Sequence, residues 1–368
     1  MNVDGRVTRR SLFIDATRGL AMALVCVSHF GISYFGFAGD RRDKDLTGLI
    51  ALPATPTFVI LSGLLLGFLS VRNRATFPDL GLKLMDRGLF LLGPAHALIV
   101  AAHLLSFKSA RFIFVTDAIG ICILTGPWLV KALSSTARLA LGTGLLLVAW
   151  CLFLTWKPLG VGGGLVRSIF IGDAPFAHGW LTFPLLPWLG TYLVATPLGE
   201  LLAVWIAAGK NWVARLGSVS LVVMAAGLVL HLLGRGQSPA IRDLLSGLKK
   251  YPPGPAYLLA CGGGGLGMTT FLGWLEQRKR LMSLLSLLAT VGRSSLVVFV
   301  VQYFIYYVGF TFLRLPVTHL WPIYLATSLV LVFGVAFSWD RYLGNEYLTV
   351  GLPYLTRGRH RTAPAAEP

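Results

Sequence analysis

Ten long apolar segments constrain the fold of this 368-residue chain more than any other feature. Each carries few charges, and about 20 helical residues cross the 30 Å hydrocarbon core of a bilayer. Of all residues, 55% are hydrophobic and 13% charged, too few polar side chains to cover a water-soluble globule. The sequence therefore predicts an all-α polytopic membrane protein, a bundle of about ten transmembrane helices. The segments lie near residues 15–36, 52–71, 85–106, 112–131, 138–156, 181–205, 216–234, 255–275, 289–313 and 321–339.

The connections between these segments are too short to form a soluble domain. The longest, near residues 157–180 and 235–254, cannot bury a core of their own. We expect a single transmembrane domain over residues 1–356 and a disordered basic tail, rich in Pro and Ala, over residues 357–368.

The formal net charge of +17 reflects membrane orientation rather than nucleic-acid binding, because the basic residues are spread over short loops. With a cytoplasmic N-terminus, 20 of the 32 Lys and Arg residues fall on the cytoplasmic side. This bias predicts that both termini are cytoplasmic and that the loops near residues 37–50 and 157–180 face outward. We expect an integral protein of the cell (inner) membrane, with the lipid bilayer as a partner and no nucleic acid.

The first apolar segment contains three polar side chains, Asp15, Arg18 and His29. At 100° per residue, the eleven-residue step from Arg18 to His29 ends about 20° from three full turns, so both residues lie on one face of a helix. Asp15 lies about 40° from His29, on the side away from Arg18. The i,i+3 spacing of Asp15 and Arg18 permits an ion pair. His29 lies about 16 Å beyond Arg18, near the bilayer midplane if Arg18 marks the inner boundary.

Transfer of an ionisable side chain into hydrocarbon costs roughly 2.5–3.5 kcal/mol even on insertion scales. The polar stripe formed by Asp15, Arg18 and His29 is therefore expected to have a structural or functional role. A histidine at the midplane can accept or relay protons. The structural alternative is a histidine that only links helices by hydrogen bonds. The alignment with Arg18 and Asp15 favours a functional site.

Other polar residues in the segments have structural interpretations. Asp86 and Arg87 open the predicted third segment as an interfacial pair, although Arg87 is also placed to meet an anion from the cytoplasm. Asp117 is expected to pair with a neighbouring helix or to cap its own. His96 and His103 are seven residues apart, not the four of a helical metal pair, and we expect no metal.

Several motifs, taken in order, resemble the transmembrane acyltransferase superfamily, including its acyltransferase-3 and heparan-α-glucosaminide N-acetyltransferase-like groups. The Arg18 to His29 spacing matches the first helix of these proteins. The likeness covers most of the chain. The matching stretches are 11–21, 58–63, 183–190, 250–257 and 292–299.

This resemblance implies transfer of an acyl group, often acetyl in such proteins, from a cytoplasmic acyl-CoA to a sugar hydroxyl or amine of an envelope or exported glycan. Arg18, Arg87 and Lys83 would bind the anionic donor, and His29 would act as general base, supported by Asp15 and Arg18. The chain departs from relatives in having Gln302 where a second histidine often stands. The partners implied are acyl-CoA as donor substrate and a carbohydrate or glycolipid acceptor.

A proton-coupled secondary transporter is the competing class, because intramembrane His and Asp residues also serve as proton relays. A purely structural membrane protein gives no reason for the aligned Asp15, Arg18 and His29. The sequence leaves open the acceptor and whether transfer is direct or passes through an acyl-enzyme.

Overall fold

The computed structural model describes residues 11–35, 41–107, 113–172, 183–313, 318–344 and 348–352. These residues form helices and connections, without β-strands. Two π-helical segments, Leu91–Ala95 and Phe304–Gly309, continue α4 into α5 and α14 into α15. The helices are α1 (Leu12–Tyr34), α2 (Arg41–Ile50), α3 (Ala54–Arg72), α4 (Phe77–Phe90), α5 (His96–Leu105), α6 (Val115–Ala132), α7 (Ser135–Thr155), α8 (Gly160–Phe170), α9 (Leu185–Ala207), α10 (Trp212–Gly234), α11 (Pro239–Leu245), α12 (Pro255–Gln277), α13 (Met282–Arg293), α14 (Ser295–Tyr303), α15 (Phe310–Leu313) and α16 (Trp321–Tyr342).

In the described part of the chain, ten helical stretches are long and apolar enough to cross a membrane. This confirms the predicted all-α polytopic bundle. Three of the stretches combine shorter elements, namely α2 with α3, α4 with α5, and α14 with α15. The predicted tail over residues 357–368 lies outside the described residues.

The structure differs from two predicted segment boundaries and adds a short helix to one connection. The third span begins with α4 at Phe77 rather than near residue 85, because charged residues in its first turns lower the local hydropathy without breaking the helix. The connection near residues 157–180 contains α8. The predicted ninth segment, 289–313, is divided at Ser294 between α13 and α14.

Helix α1 is one of the most buried elements of the bundle. In its most apolar window 56% of residues are buried, as in the span that contains α3, against 17% in the windows of α7, α10 and α16. The first turns of α1 contribute Phe13 and Ile14 to one apolar core, and its later turns contribute Cys26 and Phe30 to another. A polar side chain on α1 is therefore held inside protein rather than in lipid.

Glycines permit close approach between helices in this bundle. A Cβ at Gly63 or Gly67 of α3 would overlap the backbone of α9. A Cβ at Gly263 of α12 would overlap the backbone of α10, and one at Gly265 would overlap Thr57. These glycines therefore allow the helices to pack backbone against backbone.

Contacts between helix ends define two sides of the bundle. On the α1-start side, the guanidinium of Arg72 at the end of α3 donates to Ser11 Oγ (3.3 Å). On the α1-end side, the hydroxyl of Tyr257 near the start of α12 donates to the carbonyl of Leu52 (3.1 Å). The phenol of Tyr34 accepts a hydrogen bond from the Thr318 N–H (3.2 Å) on this same side.

Candidate active site

A cavity of about 210 Å³ passes through the bundle between α1, α3, α4, α6, α9 and α14. Its wall between the two ends is largely apolar and includes Met22, Val25, Phe58 and Leu65. None of the described lining residues is Asp or Glu. Its basic lining residues are Arg18, His29, Arg87, Lys250 and Arg293.

Three arginines from different helices line the cavity on the α1-start side, which we call the arginine end. Arg18 donates through Nη2 to Ser295 Oγ (2.9 Å), at the start of α14. Arg293 forms a bidentate pair with Asp340 of α16, with Nε to Oδ1 at 3.0 Å and Nη2 to Oδ2 at 2.5 Å. Arg87 projects from α4. The guanidinium groups suit phosphate or carboxylate oxygens.

The region beside the arginine end is closed by a segment that follows α16. The buried carboxylate of Asp86 accepts backbone hydrogen bonds from Val350 (3.2 Å) and Leu352 (2.8 Å). Leu348 of the same segment lines the cavity. Asp86 therefore holds the 348–352 segment against α4, a role that the interfacial-pair interpretation did not include. Lys83 is exposed on α4 and is not among the lining residues.

Of the predicted stripe of Asp15, Arg18 and His29, the structure places the last two at the cavity. Arg18 and His29 line the cavity, whereas Asp15 is buried, only 5% exposed, where α1 meets α13. A Cβ at Gly292 would overlap the Asp15 carbonyl oxygen, and the Asp15 carboxylate acts electrostatically on Arg293. Asp15 thus belongs to the support of the arginine end.

His29 lies in an aromatic group contributed by α14 and the π-helical segment after it. Its ring centroid is 4.9 Å from that of Tyr303, 5.8 Å from that of Tyr307 and 6.1 Å from that of Phe299. Tyr303 and Tyr307 stack on each other at 5.1 Å. Three aromatic rings thus surround the imidazole. One of them, Tyr307, stands in a π-helical segment, and such segments often occur at functional sites.

A second imidazole approaches the same tyrosines from α5. The ring centroid of His103 is 5.3 Å from that of Tyr303 and 5.1 Å from that of Tyr307, and its Nδ1 lies 2.9 Å from the Ile99 carbonyl. Gln302 is fully buried, and its amide has no hydrogen-bond partner among the described residues. The second histidine near His29 therefore comes from α5 and not from position 302.

Asp117 fulfils both structural expectations. Its Oδ2 lies 2.8 Å from Nδ1 of His96 on the neighbouring helix and accepts the Phe114 N–H (2.7 Å) at the start of α6. Within the described residues no group of three or more His, Cys, Asp or Glu side chains is arranged to hold a metal ion.

The opposite, α1-end side of the cavity carries Lys250, and we call it the lysine end. Lys250 and Tyr251 belong to the turn before α12, and Phe183 lies before α9. The rings of Tyr251 and Phe183 meet edge to face at 5.7 Å. The indole N–H of Trp150 donates to the Pro253 carbonyl (3.1 Å) and holds this turn.

Sequence reasoning gave no site role to Arg293, Lys250, Tyr303 or His103. Two of these residues stand inside the family-like stretches 250–257 and 292–299, so the motifs contained the information. Sequence reasoning considered His103 only as a metal ligand and gave no role to Tyr303, and only the three-dimensional contacts join His29, Tyr303 and His103 in one aromatic group.

The described helices thus form a transmembrane bundle around a cavity that has basic side chains at both ends and an imidazole between them. The model of the family "Heparan-alpha-glucosaminide N-acetyltransferase, catalytic" matches residues 10–234. The chain therefore belongs to this family of transmembrane acetyltransferases. Comparison with curated protein sequences gives no match. The family match includes Arg18, His29 and Arg87, and it ends before Lys250.

Proposed function

We propose that this protein transfers an acetyl group from cytoplasmic acetyl-CoA to a hydroxyl or amine of an envelope or exported glycan, with His29 as general base. The observation that carries the proposal is the single cavity that joins three arginines, His29 and Lys250 across the bundle. Family membership supports acetyl transfer. The excess of basic residues on the side of the N-terminus favours a cytoplasmic arginine end.

The arginine end is suited to the phosphate-bearing part of the donor. Phosphates do not enter hydrocarbon, so this part of acetyl-CoA stays at the membrane boundary, where Arg18, Arg87 and Arg293 provide charge-assisted hydrogen bonds. Lys83 lies one turn before Arg87 and adds positive charge. The uncharged arm of the donor matches the apolar middle of the cavity, which ends at His29, about 16 Å along α1 from Arg18.

At His29 the acceptor oxygen or nitrogen attacks the thioester carbonyl carbon while the imidazole takes the proton of the acceptor. The carbon–sulfur bond then breaks, the acetyl group stays on the acceptor, and the thiolate leaves and is protonated. An imidazole has an unperturbed pKa near 6.5 and is suited to this proton transfer at neutral pH. Tyr303 and Tyr307 fix the orientation of the ring.

The test is acetyl transfer by the purified protein in lipid nanodiscs, followed as CoA thiol release and as acetylated amino sugar. His29→Gln keeps a hydrogen-bonding group but removes the base, so transfer should fall by about 10²–10⁴-fold. The matched control is His319→Gln, an exposed histidine outside the cavity. Near wild-type transfer by His29→Gln would refute the assignment of the base.

The transporter alternative predicts a different result. A proton-coupled transporter in proteoliposomes would move a labelled glycan without releasing CoA thiol. Thiol release that depends on a glycan acceptor excludes this alternative. Proton movement that depends on the glycan and occurs without thiol release would instead support it.

A further inference from the structure

The short helix α8, between the spans α7 and α9, has an apolar face on its exposed side. Its exposed residues are all glycine or apolar, namely Gly160, Val161, Gly162, Val166 and Phe170. Leu159, immediately before the helix, is 92% exposed. A helix that borders water carries its charged and polar residues on the outer face. The exposed face of α8 therefore suits an apolar environment.

The one charged residue in the sequence of α8, Arg167, lies on the opposite face. It is buried, and its Nη2 donates to the carbonyl oxygen of Phe153 (2.9 Å) in the last turn of α7. The guanidinium also lies over the Phe153 ring, 5.8 Å from the ring centroid. The last carbonyl groups of a helix lack partners within the helix and carry a partial negative charge. Arg167 thus attaches α8 to the end of α7.

Both ends of α8 adjoin ends of membrane-spanning helices. Helix α7 has 21 residues, about 32 Å in length, and α8 begins five residues after it. At the other end, a Cβ at Gly172 would overlap the ring of Pro184, directly before α9. Trp150 of α7 donates to the lysine-end turn, and Phe183 lines the lysine end, so both boundaries lie on one side of the bundle. Helix α8 therefore runs along this side of the membrane.

The length and surroundings of α8 match those of an interfacial helix. Its 11 residues extend about 16 Å, too short to cross the hydrocarbon core. Trp156 and Lys157 join it to α7, and both residue types are frequent at the boundary between membrane and water. Its exposed face adjoins α7, whose own surface carries exposed Leu147 and Leu154. The apolar surface of α8 thus continues a surface that faces lipid.

We propose that α8 lies in the bilayer surface at the lysine-end side, with Val166 and Phe170 among the lipid acyl chains and Arg167 attached to α7. The partner is the apolar part of the lipid leaflet rather than a particular headgroup, because the exposed face of α8 carries no charge. This surface is separate from the proposed acetyl transfer and involves none of its residues.

Spin labels on single cysteines test this placement in nanodiscs. A background with Cys151→Ser and Cys261→Ala leaves only the buried native thiols. Labels attached at Val166→Cys and Phe170→Cys should collide more often with oxygen, which enters lipid, than with a water-soluble nickel complex. Their depth should be about 5–10 Å below the headgroup level.

Two further labels provide matched references. Arg242→Cys is exposed on α11, another short helix, which leads into the lysine-end turn, and its label should collide more often with the nickel complex. Leu147→Cys, on the exposed surface of α7, should show the preference for oxygen. The labels on α8 should thus resemble the one at position 147 and differ from the one at position 242.

More frequent collision of the α8 labels with the nickel complex would place this face in water and overturn the inference. Exclusion of both reagents would also overturn it, because protein would then cover α8. Dipolar broadening between labels would identify that cover as a second copy of the chain. Each of these results leaves the proposed function intact.

Discussion

The imidazole of His29 packs against the phenol ring of Tyr303, with their centroids 4.9 Å apart and their planes at 55°. Tyr303 also contacts the imidazole of His103, with their centroids 5.3 Å apart. One tyrosine ring thus contacts two histidines from different helices. The ring contact with Tyr303 positions the His29 imidazole in a cavity whose wall is largely apolar.

Removal of the Tyr303 ring should therefore reduce turnover more than donor binding. For Tyr303→Ala we expect kcat to fall about tenfold or more, because a base that is free to rotate spends less time in the reactive geometry. Tyr303→Phe keeps the ring and should retain most of the activity if the contact is one of packing. Steady-state kinetics with varied acetyl-CoA measures both quantities. A rise in donor KM at constant kcat would place Tyr303 in donor binding instead.

Arg87 should contribute to donor affinity more than Lys83 does. Both residues are exposed on α4, but Arg87 lines the cavity and Lys83, one turn earlier, does not. Loss of a charge-assisted contact weakens binding by about 1.5–3 kcal/mol, so Arg87→Gln should raise the KM for acetyl-CoA about 10- to 100-fold. Lys83→Gln should have a smaller effect that disappears at high salt. An unchanged KM in a folded Arg87→Gln variant would remove Arg87 from the donor site.

The sequence predicted the spans well and part of the site. Apolar length is a local property, so hydropathy finds the helices. Helical periodicity along one segment likewise placed Arg18 and His29 on a common face, and both line the cavity. Asp15 is on the same helix, but its carbonyl group meets Gly292 of α13. A contact with a residue so distant in the chain leaves no pattern in the sequence of the first segment.

The rest of the site depends on contacts between distant segments. Asp340 lies 47 residues after Arg293, and nothing in the local pattern of either residue indicates their pairing. The break at Ser294 also escaped prediction, because only the short polar stretch 292–295 separates the apolar residues of α13 from those of α14. Hydropathy identifies which residues enter the membrane but not how the helices are arranged.

The Arg293–Asp340 pair should act as one unit in donor binding. Asp340→Asn removes the charge that orients Arg293, and we expect it to raise the KM for acetyl-CoA, though less than Arg293→Gln does. A double-mutant cycle measures the coupling. Because the two side chains are in contact, the loss of donor binding energy in the double variant should be smaller than the sum of the two single losses by about 0.5–3 kcal/mol. Simple additivity would show that Asp340 does not act through Arg293.

The segment at 348–352 should become mobile when Asp86 is replaced. Asp86→Leu removes the acceptor of the Val350 and Leu352 N–H groups. We expect faster amide hydrogen exchange at these two residues, measured by mass spectrometry, with little change in exchange of α12. Asp86→Asn keeps one carbonyl acceptor and should give an intermediate rate. Unchanged protection in Asp86→Leu would mean that other contacts hold the segment.

The contact between α1 and α13 should tolerate no side chain at Gly292. A Cβ there would overlap the carbonyl oxygen of Asp15, and one at Gly19 would overlap that of Leu288, so these two glycines set the helix separation. Gly292→Ala forces the helices apart at the residue next to Arg293. Overpacking of this kind costs about 1–3 kcal/mol, so we expect a lower unfolding temperature in detergent. Displacement of Arg293 should also raise the KM for acetyl-CoA.

Gly264→Ala is the matched control for this substitution. Gly264 lies in the glycine run of α12, and a Cβ there would meet no atom within 4 Å. Alanine has the higher helix propensity by about 0.8–1 kcal/mol, so this variant should be as stable as the wild type or more so, with an unchanged KM. If Gly292→Ala and Gly264→Ala had the same unfolding temperature and KM, α13 would not depend on its close approach to α1. A stability loss without a change in KM would instead separate the helix contact from the position of Arg293.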